Sequence, residues 1–88
     1  MKFECDPEKD VVNRIKHGVS LSFGARIFDD VDYLLIPTFR KEDGEDRYKV
    51  VGEVEGKIWT AVHVRGEGIV RLISVRRSND GEERQYRA

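Results

Sequence analysis

The stretch Ile69 to Ser78, I-V-R-L-I-S-V-R-R-S, constrains the fold of this 88-residue chain more than any other. In a strand, alternate side chains point to opposite faces, and here both faces are largely apolar. Strands that are apolar on both sides lie inside a sheet rather than at its edge. The stretch therefore predicts a central β-strand.

This strand ends in two adjacent arginines, Arg76 and Arg77. A guanidinium group is permanently charged, and its planar fork matches the oxygen atoms of a phosphate. From this stretch alone two interpretations stay open. The arginines form either a phosphate-binding rim of the sheet or two solvated surface positions.

Length and composition predict one domain over residues 1–88, which buries only about 60–65% of its unfolded surface. Cys5 is the only cysteine, so no intramolecular disulfide is expected, and we interpret it as a buried structural thiol. The chain lacks Cys/His spacing of the zinc-binding kind, which predicts no metal and no cofactor. It also lacks a signal peptide and a long apolar run, so we expect a cytoplasmic protein without membrane contact.

Charge is distributed unevenly along the chain. The formal net charge is −1, but residues 1–64 carry −3 and residues 65–88 carry +2, and every cation in the second part is an arginine. An anionic partner is therefore expected to bind the C-terminal third.

Two N-terminal helices are predicted after a short opening strand. Asp6 supplies an N-cap, Pro7 suits the first helical position, and Gly18 suits the end of the first helix. The apolar stripe of this helix is expected to pack on the sheet. The strand is expected at Lys2 to Cys5, the helices at Pro7 to His17, with the stripe Val11, Val12 and Ile15, and at Leu21 to Phe28, and a last short helix from Ser78 to Ala88.

The remaining pattern predicts strands. A short strand is expected at Asp32 to Pro37, followed by a polar loop, Thr38 to Asp46, which is expected to be the most flexible segment. From Arg47 onward, Glu55-Gly56 and Gly66-Glu67-Gly68 separate three strands of a β-meander. The predicted fold class is α+β, with two N-terminal helices packed on a small antiparallel β-sheet and a short C-terminal helix.

The hairpin register decides which side chains share a face. If both hairpins close with two-residue loops, Trp59 lies opposite Gly52 on one side and Arg76 on the other, whereas a three-residue loop at Gly66 to Gly68 would flip the last strand. The apolar grouping favours the first register. The helices would then cover Ile58, Val62, Val64, Ile73 and Val75, and the other face would carry Tyr48, Trp59, His63, Arg65, Ser74 and Arg76.

A sheet face of this composition suits single-stranded RNA, which is bound by stacking on aromatic rings and by contacts to phosphate. His63 would be the side chain near this face that exchanges protons near neutral pH. The structural alternatives are a Trp59 that lies in the core and a His63 that is partly exposed and has no chemical role.

Motifs along nearly the whole chain resemble those of the BrnT toxins of bacterial type II toxin–antitoxin systems, and their order and spacing carry the resemblance. They are D-P-E-K (6–9), N-R-I-K-H-G-V-S (13–20), A-x-x-F-x-D (25–30), G-E-D-R (44–47), V-G-x-x-x-G (51–56), R-L-I-S-V-R-R (71–77) and E-R-x-Y (83–86).

The resemblance implies a fold similar to that of the RelE and ParE toxins and growth inhibition by RNA cleavage. It also implies neutralisation by a BrnA-type antitoxin, through which alone the toxin would contact operator DNA. Five residues match basic or C-terminal positions of the family, and we add His63 as a proton carrier. The predicted catalytic residues are therefore Arg47, Arg65, Arg76, His63, Arg84 and Tyr86.

RNA cleaves itself when a 2′-hydroxyl attacks the neighbouring phosphate, so an enzyme needs mainly positioning, charge stabilisation and proton transfer. We therefore predict a metal-independent endoribonuclease in which Arg76 is the central phosphate-binding group. Two other functions stay open on the same fold: a non-catalytic partner-binding module and a ParE-like toxin that acts on a topoisomerase.

Overall fold

The computed structural model describes residues 1–40 and 45–88, with side chains described outside residues 39–45. Five strands form one mixed sheet in the order β1-β5-β4-β3-β2, so the predicted central strand, β5, is indeed internal. The elements in chain order are β1 (Lys2–Cys5), α1 (Pro7–His17), a 3-10 helix (Leu21–Asp29), β2 (Leu34–Arg40), β3 (Glu45–Val54), β4 (Lys57–Gly66), β5 (Ile69–Arg77) and α2 (Asp80–Arg87).

Local signals set both ends of α1, as predicted. The Asp6 carboxylate accepts a hydrogen bond from the Glu8 N–H at 2.9 Å, and Pro7 occupies the first turn. Gly18 adopts a left-handed conformation with φ 75° and donates its N–H to the Arg14 carbonyl at 3.0 Å. A residue with a side chain is strained at such a φ, so Gly18 ends the helix.

The predicted fold class, two N-terminal helices packed on a small antiparallel β-sheet with a short C-terminal helix, is wrong. β1 pairs in parallel with β5, from Lys2 opposite Ile69 to Cys5 opposite Leu72, which makes the sheet mixed and five-stranded. The second predicted helix is a 3-10 helix, so only one α-helix precedes the long hairpins.

Close packing explains the 3-10 geometry. With three residues per turn, the buried residues Leu21, Gly24 and Ile27 lie on one stripe that faces the sheet. A Cβ on Gly24 would lie 2.9 Å from Val75 Cγ2, so only glycine allows this approach. The α-helical spacing that was expected would turn Gly24 away from the sheet.

The apolar stripe of α1 does not pack on the sheet, contrary to expectation. Val11, Val12 and Ile15 are 56%, 49% and 80% exposed, while Asn13 is 4% exposed. The Asn13 side chain accepts a hydrogen bond from the Val75 N–H at 2.9 Å and donates to the Val75 carbonyl at 2.9 Å. It therefore takes the place of a strand partner on β5, beyond the point where β1 ends.

Both hairpins close with two-residue turns, since Val54 pairs with Lys57 and Gly66 with Ile69. The predicted pairing of Trp59 with Gly52 is confirmed. The predicted pairing of Trp59 with Arg76 is wrong, because a bulge at Ile73 shifts the end of β5 by one residue.

On one side of this bulge His63 pairs with Leu72, and on the other Val62 pairs with Ser74. As a result Arg76 lies opposite Thr60, and Arg77 lies opposite Trp59. One extra residue in a strand reverses the facing of every side chain beyond it.

The prediction of which face of β4 the helices cover is also wrong. The 3-10 helix covers the face with Trp59 and His63, since Phe23 contacts Trp59 at a centroid distance of 4.7 Å and Phe28 contacts His63 at 5.1 Å. Val62 and Val64 point to the other face. The core cluster consists of Leu21, Ile27, Val50, Val54, Ala61, Val70, Leu72 and Val75.

Three smaller predictions also differ from the structure. Cys5 is exposed rather than a buried thiol. Asn79, not Ser78, caps the C-terminal helix. The predicted polar loop, Thr38 to Asp46, is shorter, because β2 runs to Arg40 and β3 begins at Glu45; residues 41–44 lie outside the described residues, and the flexibility stays a prediction.

Pro37 lies in β2, the edge strand, as its missing N–H requires. Within the described residues, no helix is long and apolar enough to cross a membrane.

Candidate functional site

At the sheet face opposite the 3-10 helix, the two strands that flank β4 carry four cationic side chains among the described residues, and we call this part of the sheet the open face. Arg47 on β3 and Arg71 on β5 lie on either side of Val64 on β4. Lys49 and Ser74 flank Val62 in the next row. The open face consists of Arg47, Lys49, Val62, Val64, Arg71, Ser74 and, where α2 begins to cover it, Thr60 and Arg76.

Glu82 of α2 is the carboxylate at the covered end of this face, and it is 4% exposed. Its two oxygen atoms accept hydrogen bonds from Arg76 Nη1 at 2.7 Å and Nη2 at 2.8 Å, and Lys49 Nζ lies 3.2 Å from Oε2. Two cations therefore share one carboxylate, so this group of three charges has a net charge of +1. The planar fork of Arg76 is occupied by a carboxylate rather than open to solvent.

Two further donors tie Glu82 to α2 and to the sheet. The Asn79 N–H donates to Oε1 at 3.0 Å, which together with the Asn79 side chain forms a capping box. Thr60 Oγ1 donates to the same oxygen at 3.1 Å. Glu82 thus holds the C-terminal helix against β4.

Protein stability should depend on the charge of Glu82 at low pH. Hydrogen bonds from Arg76, with smaller contributions from Asn79 and Lys49, outweigh burial and lower the pKa of Glu82 from 4.5 to about 2. Because the folded-state pKa is the lower one, the stabilisation is complete above pH 4.5 and is lost as the pH falls through about 2.

We expect the free energy of unfolding to fall by about 2 kcal/mol more between pH 5 and pH 3 in the natural protein than in Glu82→Gln. Urea unfolding of both proteins at the two pH values measures this difference. Equal pH dependence in the two proteins would contradict the assignment.

His63, the predicted proton carrier, lies on the covered face and is fully buried. Its ring packs between Phe28 and Tyr48, at centroid distances of 5.1 and 5.9 Å. Nδ1 donates to the Ala61 carbonyl at 3.2 Å, and Nε2 accepts from Arg65 Nε at 3.3 Å. Burial, with the charge of Arg65 adding to it, lowers the pKa of His63, so the imidazole is neutral at neutral pH.

The structure divides the predicted catalytic residues among three places. His63 and Arg65 lie together on the covered face, with the Arg65 guanidinium over the Phe28 and Tyr48 rings. Arg47 and Arg76 lie on the open face. The other two, Arg84 and Tyr86, lie on α2.

Tyr86 joins α2 to the end of the 3-10 helix, because its hydroxyl donates to Asp30 Oδ2 at 2.5 Å. This hydrogen bond, together with burial and neighbouring carboxylates, raises the pKa of Tyr86 to about 12. The phenol therefore keeps its proton at neutral pH. Arg84 is exposed on the same helix.

Sequence reasoning missed Lys49 and Arg71. Lys49 follows Arg47 at the two-residue spacing of a strand, and this signal was available. In a regular strand Arg71 would share a face with Ile73 and Val75, and the bulge at Ile73, which places Arg71 on the other face from Val75, leaves no mark in the sequence.

Residues 5–82 match the protein family described as ribonuclease toxin, BrnT, of type II toxin-antitoxin system. The chain belongs to the BrnT family. The resemblance predicted from the motifs is thus confirmed, and no curated protein is similar enough to the chain to count as a match. This BrnT chain is a ribonuclease toxin, with RNA as its substrate and an antitoxin protein as its partner.

The match decides among the three functions left open by the sequence, and supports neither a non-catalytic module nor a topoisomerase-directed toxin. It includes the four open-face cations of this BrnT toxin and ends at Glu82, whereas Arg84 and Tyr86 lie beyond it.

Proposed function

We propose that this BrnT toxin binds and cleaves single-stranded RNA on the open face, and that cleavage needs no metal ion. The observation that carries the proposal is the arrangement of Arg47, Lys49, Arg71 and Arg76 on the two strands that flank β4. Neighbouring strands are roughly 4.8 Å apart, so these two rows lie roughly 10 Å from each other. A single RNA strand lying along β4 would have cations on both sides.

The chemistry assigned to this face is attack of the RNA 2′-hydroxyl on the adjacent phosphorus. The 2′-oxygen loses its proton and bonds to phosphorus while the bond to the 5′-oxygen breaks, and the 5′-oxygen takes up a proton. The arginines and Lys49 would stabilise the added negative charge on the phosphate. Within residues 1–40 and 45–88, no three His, Cys, Asp or Glu side chains are grouped so as to hold a metal ion.

The proton carriers of the reaction are sought among the two titratable side chains predicted from the sequence, Tyr86 and His63. Tyr86 is proposed as the acid that protonates the 5′-oxygen, and for this its hydroxyl must leave the hydrogen bond with Asp30, which raises its pKa to about 12. His63 lies within the covered face, where it orients Arg65 through the hydrogen bond between Nε2 and Nε. The catalytic roles of Arg47, Arg65, Arg76, His63, Arg84 and Tyr86 stay proposals.

We also propose that the antitoxin is of the BrnA type, with a DNA-binding domain, and that the toxin reaches operator DNA only through it. The cytoplasm, which contains the RNA substrate, is the proposed place of action. Both proposals rest on the family and on the motifs, not on the geometry of the site.

Cleavage of a defined single-stranded RNA by purified Arg71→Ala tests the open face. We expect the rate to fall about tenfold, which corresponds to roughly 1.4 kcal/mol of transition-state stabilisation. Arg26→Ala is the matched control, because Arg26 is an exposed arginine on the 3-10 helix, away from the open face. All proteins are assayed with and without EDTA, which should leave the rates unchanged.

An Arg71→Ala protein that cleaves as fast as the natural toxin, or an Arg26→Ala protein that is equally impaired, would argue against the open face. Loss of cleavage in EDTA and its return with Mg²⁺ would refute metal independence alone.

A further inference from the structure

The exposed stripe of α1 is an unusual feature of so small a domain. Val11, Val12 and Ile15 lie on adjacent positions of the helix surface and are all at least 49% exposed. The helix is held to β5 by the polar side chain of Asn13 instead. Three neighbouring aliphatic side chains in water indicate an interaction site rather than a solvated helix face.

A groove runs beside this stripe, between α1 and β5. It has a volume of about 420 Å³, and Val12 and Ile73 provide its apolar walls, with Lys9, Lys16 and His17 along α1. A second depression of about 270 Å³ shares Asp6, Lys9 and Ile73 with it. This depression extends to Arg47 and Arg71, so the groove leads onto the open face.

The charges along this path are mostly positive. Lys9, Lys16, Arg47 and Arg71 line it, against the two carboxylates of Asp6 and Glu8. The Asp6 carboxylate is already bonded to the helix N-terminus as the N-cap of α1. The path therefore complements a ligand that is both apolar and acidic.

We propose that the outer face of α1 and the groove beside it bind an apolar segment of the antitoxin that carries acidic residues, and that this segment continues onto the open face. The docking rests on the family's antitoxin partner, and the occlusion of RNA rests on the proposed function of the open face. A protein segment bound along this path neutralises the toxin by covering Arg47 and Arg71.

Two other occupants fit the surface less well. RNA binds through phosphate contacts and stacking on aromatic rings, and Val11, Val12 and Ile15 offer neither. A second copy of the chain in a twofold dimer would place the same lysines of both copies at one interface, where like charges repel.

The test measures the affinity of the purified toxin for its cognate antitoxin by titration calorimetry. Ile15→Glu should weaken binding at least thirtyfold, because it removes a large apolar contact and adds a charge of the wrong sign. Lys16→Glu should weaken binding about tenfold and reduce its dependence on salt. Val31→Glu is the matched control, since Val31 is 95% exposed in the turn after the 3-10 helix and does not line the groove, and should leave the affinity within about twofold.

Melting temperature and RNA cleavage by the free toxin are recorded for the same variants and should not change, since all three substituted side chains are exposed. Affinities of Ile15→Glu and Lys16→Glu within twofold of the natural toxin would overturn the proposal. So would a toxin dimer that Ile15→Glu dissociates while the antitoxin affinity is kept, which would assign the stripe to a second copy.

Loss of cleavage by the free Ile15→Glu toxin with its fold and antitoxin affinity kept would assign the stripe to RNA and also overturn the proposal. The antitoxin proposal is tested by binding and the open-face proposal by RNA cleavage with Arg71→Ala. Because the two measurements are separate, either proposal can fail without the other.

Discussion

Replacing Arg76 with alanine is expected to lower RNA cleavage by about a hundred- to a thousand-fold and to destabilise the fold by about 2–3 kcal/mol. The loss of stability follows from Glu82, a buried carboxylate that loses both hydrogen bonds from the guanidinium. This loss of stability is small for a broken buried ion pair, because Lys49 still neutralises Glu82. The loss of cleavage follows because the charge of the group of three falls from +1 to zero, and a phosphate contact disappears.

A second variant separates these two causes. Arg76→Ala combined with Glu82→Gln removes the unpaired carboxylate, preserves the capping box with Asn79, and leaves Lys49 with the same net charge of +1 as in the natural protein. We expect it to recover most of the stability but little of the cleavage, because the guanidinium itself is missing.

Thermal melting and RNA cleavage are measured on both variants and on Arg76→Lys, which keeps the charge, loses the bidentate fork and should recover cleavage only in part. Full cleavage by the double variant would show that Arg76 acts only by neutralising Glu82, and would end its assignment as a phosphate-binding residue.

Replacing Asn13 with leucine is expected to lower the free energy of unfolding by about 4 kcal/mol, a large part of the stability of a small domain. The substitution nearly conserves volume but removes three hydrogen bonds, two to Val75 and one to the Val19 carbonyl, each of 2.9 Å. The N–H and carbonyl groups of Val75 would then be buried without partners, and each such group costs about 1–3 kcal/mol.

Urea unfolding measures this effect, and Gln85→Leu is the matched control because it changes an exposed amide in the same way. The control should change stability by less than about 0.5 kcal/mol. An Asn13→Leu protein within 1 kcal/mol of the natural one, a margin about a quarter of the expected loss, would refute the strand-partner role of this side chain.

The features that the sequence predicted correctly depend on residues close together in the chain. The ends of α1 follow from Asp6, Pro7 and Gly18, whose capping geometry involves only the adjacent turn. The two-residue turns at Gly56 and Gly68 likewise follow from glycines that accept a positive φ. The internal position of β5 follows from its own composition.

The features that the sequence did not predict depend on distant residues. Asn13 contacts Val75 across 62 positions, and nothing near Asn13 indicates that this amide, rather than the valines beside it, is buried. The bulge at Ile73 reverses the facing of Arg76 and Arg77, although the two turns were placed correctly. His63 is buried because the 3-10 helix packs on the face of β4 that was predicted to be open, where Phe28 covers its ring.

The parallel pairing of β1 with β5 also governs when the toxin assembles during its synthesis. Translation produces β1 and α1 first, yet β1 pairs with Ile69 to Leu72, and Asn13 of α1 bonds to Val75. Hairpins of β2, β3 and β4 can form as they leave the ribosome, but the two N-terminal elements have no strand to join until β5 has emerged. Two of the four open-face cations, Arg71 and Arg76, lie on that same strand, so a chain that has not yet produced β5 lacks half of the cations proposed to bind RNA.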